Sequence, residues 1–242
     1  MDERAGGCSI GEYLISSRSP AEYRAMFALD DSDLTGKVLD CPGGGASFTA
    51  EANELGADAT AVDPLYRRNA AVIAQYALDE VARGSDWMAK NRDRYRWDFY
   101  GDLEGHQRMR RASAEKFATD ILAHPERYRA GALPRLPFPD GTFDLVLSSH
   151  LLFTYADRLD YRFHIDALRE LARVARGNVR VFPLVDQAGE RRDDLLPPLL
   201  VELESLGLSP QVRTVDYEFQ HGADAMLVLD ASHRRSDGTS HP

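Results

Sequence analysis

The sequence predicts an α/β protein: a doubly wound, mostly parallel sheet with an antiparallel strand at one edge and a helical insertion. Three observations carry that expectation. Strand-like and helix-like segments alternate from Gly36 to Arg83, the alternation resumes after Ala132, and a run of glycines follows the first strand directly. Such alternation closes into a parallel sheet whose two faces are covered by the connecting helices.

Each element has its own signal. Ser19 to Leu29 carries apolar side chains at helical spacing behind a Ser-Pro start, which predicts an N-terminal helix. Gly36 to Cys41 is a short strand, and Ala46 to Leu55 a helix of small residues capped by Gly56. Ala57 to Asp63 is a second strand, stopped by Pro64, and a helix follows over Arg68 to Arg83. Further on, Phe143 to Leu147 predicts a strand, Leu159 to Ala175 a helix, Asn178 to Val185 a strand and Leu195 to Leu206 a helix. Gln211 to Val215 and Ala225 to Asp230 are the last strands, antiparallel neighbours at the sheet edge. One domain over residues 1–231 is expected, with a polar, disordered tail over 232–242.

The segment 84–129 stands apart. It holds both tryptophans, Trp87 and Trp97, together with Tyr95, Phe99, Tyr100, Phe117 and Tyr128. It carries ten Lys or Arg against eight Asp or Glu, whereas the whole chain has 29 against 39. Side chains this aromatic cover something apolar, either a substrate pocket as a lid or the sheet edge as packing. Replacing Trp97 or Tyr100 would separate the two. His106 and Asp98 would touch substrate or lie on a solvated helix face.

A net charge of -10 repels phosphate backbones and anionic lipid, which argues against a general nucleic-acid or membrane-surface binder. Cys8 and Cys41 form neither a disulfide framework nor a zinc motif, so no metal is expected. No apolar run is long enough to span a bilayer, and Met1-Asp2-Glu3-Arg4 is unlike a signal peptide, so a cytoplasmic protein is expected.

The most informative stretch is VLDCPGGGASF, Val38 to Phe48. Glycines between a strand and a helix let the backbone approach a ligand closely. The dinucleotide fingerprint needs a third glycine where Phe48 stands, and the phosphate-loop Gly-Lys-Ser/Thr is absent, so the loop suits an adenosine-like ligand without a pyrophosphate. Asp63 ends the second strand about 20 residues later, where a carboxylate accepts hydrogen bonds from both ribose hydroxyls.

The order VLDCPGGGASF, TAVDP, LPFPDGTFDLVLSSHLLF resembles the class I S-adenosylmethionine-dependent methyltransferases. The resemblance covers about Leu34 to Arg83 and Ala132 to Asp230. It implies a Rossmann-like, seven-stranded sheet and S-adenosylmethionine as cofactor, released as S-adenosylhomocysteine. By the resemblance, Asp40 and the loop Pro42, Gly43, Gly44 and Gly45 would cradle the methionine part. Asp63 would hold the ribose, and Pro64 and Leu65 would line the adenine. Gly131-Ala132-Leu133 stands where many relatives carry an acid, so backbone groups there, with Ala132 and Leu133, would take the adenine.

Ser148, Ser149 and His150 end the fourth family strand, beside the expected methyl group. His150 would be a general base for a hydroxyl or amine, or a histidine that only lines the cleft. Tyr13, Arg18 and Tyr23 sit in or before the first helix, which in this family folds over the cofactor. Arg18 would pair with the methionine carboxylate or stand on the surface. Asp144, at the start of its strand, reads as structural, and His164 as packed on its helix.

Methyl displacement from a sulfonium needs proximity and alignment more than particular side chains. The Asn/Asp-Pro-Pro-Tyr/Phe turn of nucleobase amino methylation is replaced here by Ser148-Ser149-His150-Leu151, and no Pro-Cys pair is present there. A small-molecule acceptor, in specialised metabolism, is therefore the expectation. Two alternatives stand beside it: an aminopropyl transferase, and a non-catalytic methyltransferase-like module that binds a partner protein.

Overall fold

The computed structural model describes residues 14–232, so Cys8, Tyr13 and the tail beyond Ser232 lie outside the described residues. Seven strands form one sheet: β1 Lys37–Asp40, β2 Asp58–Asp63, β3 Tyr128–Ala130, β4 Phe143–Ser149, β5 Ala175–Phe182, β6 Ser209–Thr214 and β7 Ala225–Asp230. Their order is β3-β2-β1-β4-β5-β7-β6. The first five strands are mutually parallel, and β7 runs antiparallel to both β5 and β6. Strand order reverses between β1 and β4, which opens a crevice at their carboxyl ends.

Among the described residues, six α-helices accompany them: α1 Pro20–Phe27, α2 Phe48–Glu54, α3 Ala70–Lys90, α4 Leu103–Ala123, α5 Tyr161–Val174 and α6 Leu196–Ser205. Ser19 starts α1 through a capping box with Glu22, and Pro20 fits the first turn because its missing N–H has no helical partner there. Central strands are buried on both faces. On β1, Val38 faces the core made with Phe27, Phe48 and Phe182, while Leu39 faces the core made with Leu168, Leu171 and Leu199. A third apolar cluster joins Ile73, Ala77, Phe117, Ile121 and Tyr128, and it seats α3 and α4 beside β2 and β3.

Three features depart from the sequence-based expectation. The helix expected to stop at Arg83 runs unbroken through Gly84 to Lys90, because its apolar face continues and nothing caps it earlier. A strand was not expected in the segment 84–129, yet β3 forms at its end; three residues with two exposed give too short an alternation to read. Finally, β5 begins at Ala175, directly after α5, rather than at Asn178. Asp144 is structural, as expected: its carboxylate accepts from the Lys37 N–H at 2.8 Å and from Arg176 Nη2 at 2.6 Å.

Candidate active site

The crevice holds a cavity of about 680 Å³, walled by the ends of β1, β2 and β4, by residues 14–18, and by side chains from 87–95 and 217–223. That volume lies within the roughly 300–1,000 Å³ usual for small-molecule sites.

The glycine loop is shaped by close packing. A Cβ on Gly43 would lie 2.7 Å from both the Ala61 Cβ and the Tyr66 hydroxyl, so a side chain has no room. Gly44 has φ +53, in the left-handed region that glycine enters freely. The Tyr66 hydroxyl donates to the Gly44 carbonyl at 2.8 Å and fixes the loop from below. Asp63 then ties the loop to its own turn: Oδ2 accepts from Gly44 N–H at 3.1 Å and Oδ1 from Leu65 N–H at 2.9 Å. Burial raises the Asp63 pKa, and those two N–H bonds work against the rise. Each carboxylate oxygen keeps a lone pair beyond its backbone bond, the acceptor capacity that a ribose diol uses.

Arg18 reaches the cavity wall from just before α1. Its Nη1 donates to Glu22 Oε1 at 3.3 Å, and its Nε is buried without a partner. Glu22 is fully buried and is the hub of the region, bonded also to the buried Arg110, to Ser19 and to the Tyr100 hydroxyl at 2.6 Å. Burial alone would push its pKa up, but the charges of Arg110 and Arg18 and the bonds from Arg110 and Tyr100 prevail and hold it at about 2. Two guanidiniums against one carboxylate leave this corner with an excess positive charge.

A strand–helix–strand unit with a glycine turn, a second-strand acid and a switch-point crevice narrows the possibilities, and sequence comparison decides among them. Residues 80–182, from within α3 to the end of β5, match the family model described as a methyltransferase domain. Over that stretch the chain is similar to methyltransferase domains. The match includes the segment 84–129, which the motifs alone had set apart. An uncharacterized protein of Methanocaldococcus jannaschii is 27% identical over 224 residues, covering 91% of this chain and 97% of that one. Among solved structures, magnesium protoporphyrin IX methyltransferase from Synechocystis PCC 6803 superposes at a TM-score of 0.46 and 13% identity, over 87% of this chain and 77% of that chain. TrmN from Thermus thermophilus does so at 0.44 and 17%, over 87% of this chain and 48% of that one.

Arg18, Tyr23, Pro42, Gly43, Gly44, Asp63, Pro64, Leu65, Ala132, Leu133, Ser149 and His150 all line the cavity. Asp40, Gly45 and Ser148 are not on its wall. Both oxygens of Asp40 accept from the Tyr23 hydroxyl at 3.0 Å, which screens this acid from the cavity. Burial raises its pKa well above the usual carboxylate range, against the bond from Tyr23. Gly45 packs against Ser17 and Ala77, and the Ser148 hydroxyl is buried without a partner.

His150 sits at the carboxyl end of β4 with φ +51, a conformation that costs a non-glycine residue about 1–2 kcal/mol and has to be held by its surroundings. Its N–H donates to the Phe182 carbonyl at 2.7 Å, and its Nδ1 lies 2.8 Å from Ser149 Oγ. Burial, then the nearby charges of Arg18 and Arg110, push its pKa well below the ordinary value, so the ring is neutral at neutral pH.

The far wall of the cavity was only partly expected. Trp87, Met88 and Tyr95 line the cavity, joined by Tyr217, Phe219 and Gln220 from the β6–β7 connection. Tyr95 pairs antiparallel with Gln220, Arg96 N–H donates to the Phe219 carbonyl at 2.7 Å, and Arg94 donates to the Gln187 carbonyl at 2.7 Å. This roof spans the crevice from one sheet edge to the other. Trp97 and Tyr100, expected to contact substrate, brace the roof from behind. His106 neither contacts the cavity nor faces solvent: it is buried and stacked on Phe219 at 5.0 Å. Burial, with the charge of Arg110, lowers its pKa to about 3. Asp98 is exposed and paired with Arg96. His164 packs on α5 as expected, its ring nitrogens against the carbonyls of Asp160 and Leu152. Tyr217, Phe219 and Gln220 were missed because their connection follows an exposed edge strand and shows no motif; the one signal was two aromatic residues in the ten-residue connection 215–224.

Proposed function

We propose that this chain is a methyltransferase that uses S-adenosylmethionine to methylate a small-molecule acceptor, with His150 receiving the proton that the acceptor loses. The observation that carries the reading is the single cavity in which the Asp63–glycine-loop cradle and the neutral His150 share one wall. The residues present fit the cofactor. Asp63 offers free lone pairs where ribose hydroxyls would bond, and Gly43, with no room for a side chain against Ala61 and Tyr66, lets the loop backbone line the cavity. Arg18 supplies a cation for the amino-acid carboxylate, and the backbone of Gly131, Ala132 and Leu133 takes the adenine edge.

When bound, the cofactor supplies an electrophilic methyl group. The chain's own residues then supply placement and proton management. In the tautomer in which Nδ1–H donates to Ser149 Oγ, 2.8 Å away, the Nε2 lone pair is left to receive the proton. The low pKa keeps that lone pair free across the physiological range, at the cost of low basicity, so His150 serves an acceptor whose proton is already labile. The strained backbone at His150 holds the ring toward the cavity. The aromatic roof over 84–100 acts as a lid that excludes water and confines the acceptor, and a cavity of about 680 Å³ suits a small molecule.

The test is calorimetric titration with S-adenosylhomocysteine, followed by His150→Gln. Micromolar binding retained in the variant, with the transfer step slowed at least ~100-fold, is expected for a general base. Unchanged transfer would reduce His150 to a lining residue, and no binding to the native chain would remove the cofactor assignment.

A further inference from the structure

Resting on the reading that the cavity takes a cofactor and a small acceptor together, we propose that the acceptor is a planar aromatic molecule, neutral or anionic, lying against Trp87, Tyr95 and Phe219, and that amines and other cations are rejected. Three observations converge on this class.

The first is the wall itself. Trp87 and Tyr95 meet edge to face at 5.9 Å, and Tyr95 stacks on Phe219 at 4.6 Å with 25° between ring planes. Their flat faces and edges match a flat partner, since aromatic rings prefer offset stacks and T-shaped pairs with one another. The second is rigidity. Backbone pairing of Tyr95 with Gln220, and the two bonds from Gln220 Nε2 to the carbonyls of Asp186 and Gln187 at 3.1 and 3.0 Å, fix the rings before any ligand arrives. A preformed slot loses little entropy on binding and gains most from a rigid ligand.

The third is charge. Among the described residues, Asp63 is the one carboxylate on the cavity wall, and both its oxygens are engaged at the cofactor end. Nothing in the acceptor half neutralises a cation. Rings can attract cations, but Arg94 already sits 6.0 Å over Trp87, and Arg110 6.0 Å over Tyr100 behind the wall. A third cation would meet their repulsion, whereas a neutral or anionic ring would not.

The test uses the full chain saturated with S-adenosylhomocysteine and three probes that share a phenol ring and a two-carbon arm: 4-ethylphenol, 4-hydroxyphenylacetate and tyramine. Calorimetry is expected to give the neutral and anionic probes at least ~10-fold tighter binding than tyramine. Trp87→Ala is expected to weaken both by about tenfold and to leave the affinity for S-adenosylhomocysteine within about twofold. Tyramine binding as tightly as the others overturns the inference. So does ring binding indifferent to Trp87→Ala, or no binding of any probe to the loaded protein. If the native chain fails to bind S-adenosylhomocysteine, the cofactor reading fails first and this inference falls with it.

Discussion

The two halves of the cavity are built in opposite ways. The cofactor half comes from short turns, each directly after a strand: the glycine loop after β1, Asp63 to Leu65 at the end of β2, and Gly131 to Leu133 after β3. The acceptor half comes from two distant stretches, and the hydroxyls of Tyr100 and Tyr217 that meet at 2.7 Å are 117 residues apart in the chain. Cofactor recognition is thus written in local turns that the sheet places automatically. Acceptor recognition depends on pairing between segments that only the finished fold brings together, which leaves its chemistry free to change without disturbing the cofactor turns.

The hub between the halves is the place to break that division. Replacing Glu22 by Gln leaves Arg110 buried without its anion, and loss of about 3–5 kcal/mol is expected in urea denaturation. A loss under ~1 kcal/mol would mean that the halves are not joined there. Within the cofactor half, Asp63→Asn removes a charged acceptor and should weaken S-adenosylhomocysteine by about 1.5–3 kcal/mol in calorimetry. Binding of a phenol to the roof should not follow it down, and parallel losses would show that the halves are one unit.

His106 probes the acceptor half through pH. Its ring stays neutral in the folded protein down to about 3, while in the unfolded chain it takes a proton near 6.5. Below 6.5 the unfolded chain therefore binds the extra proton, and this residue's contribution to stability falls as pH falls through that window. His106→Phe should abolish about 2 kcal/mol of the stability lost between pH 8 and pH 5, read from denaturation midpoints at each pH. An unchanged slope would show that the ring is hydrated. The smallest effect belongs to Tyr217→Phe, which deletes one hydroxyl from the hydrogen-bonded chain to Glu22. About 1 kcal/mol of stability is expected to go, with cofactor affinity unaltered.

Much of this was legible in the sequence for a physical reason. Gly43 and Asp63 must be those residue types because of immediate neighbours, so a local pattern reports them. The parallel sheet was legible because β1 and β4 are buried on both faces and read as apolar runs. Arg18 was singled out through the resemblance, and its side-chain partner, Glu22, lies one helical turn away. Asp40 looked like a ligand group because it ends a strand beside the loop; Tyr23, from a helix earlier in the chain, closes over it. The roof was half legible, its aromatic richness visible in 84–129 and its partner at Tyr217 to Gln220 silent. Helix α3 overran its expected end because nothing local stops it.

The buried charge at Glu22 also sets where the rim of the cavity is hardest to part. Lifting the roof at Tyr100 would take its hydroxyl from a buried carboxylate, a hydrogen bond to a charged group worth about 1.5–3 kcal/mol. The chain over Leu14 and Ile15, on the opposite rim, is held by weaker ties: the Leu14 N–H to the Tyr155 hydroxyl at 2.9 Å and the Ile15 N–H to Glu80 at 3.4 Å. Bonds of that kind cost about 1 kcal/mol each to part. Each of these two bonds therefore parts more cheaply than the tie of the roof to Glu22.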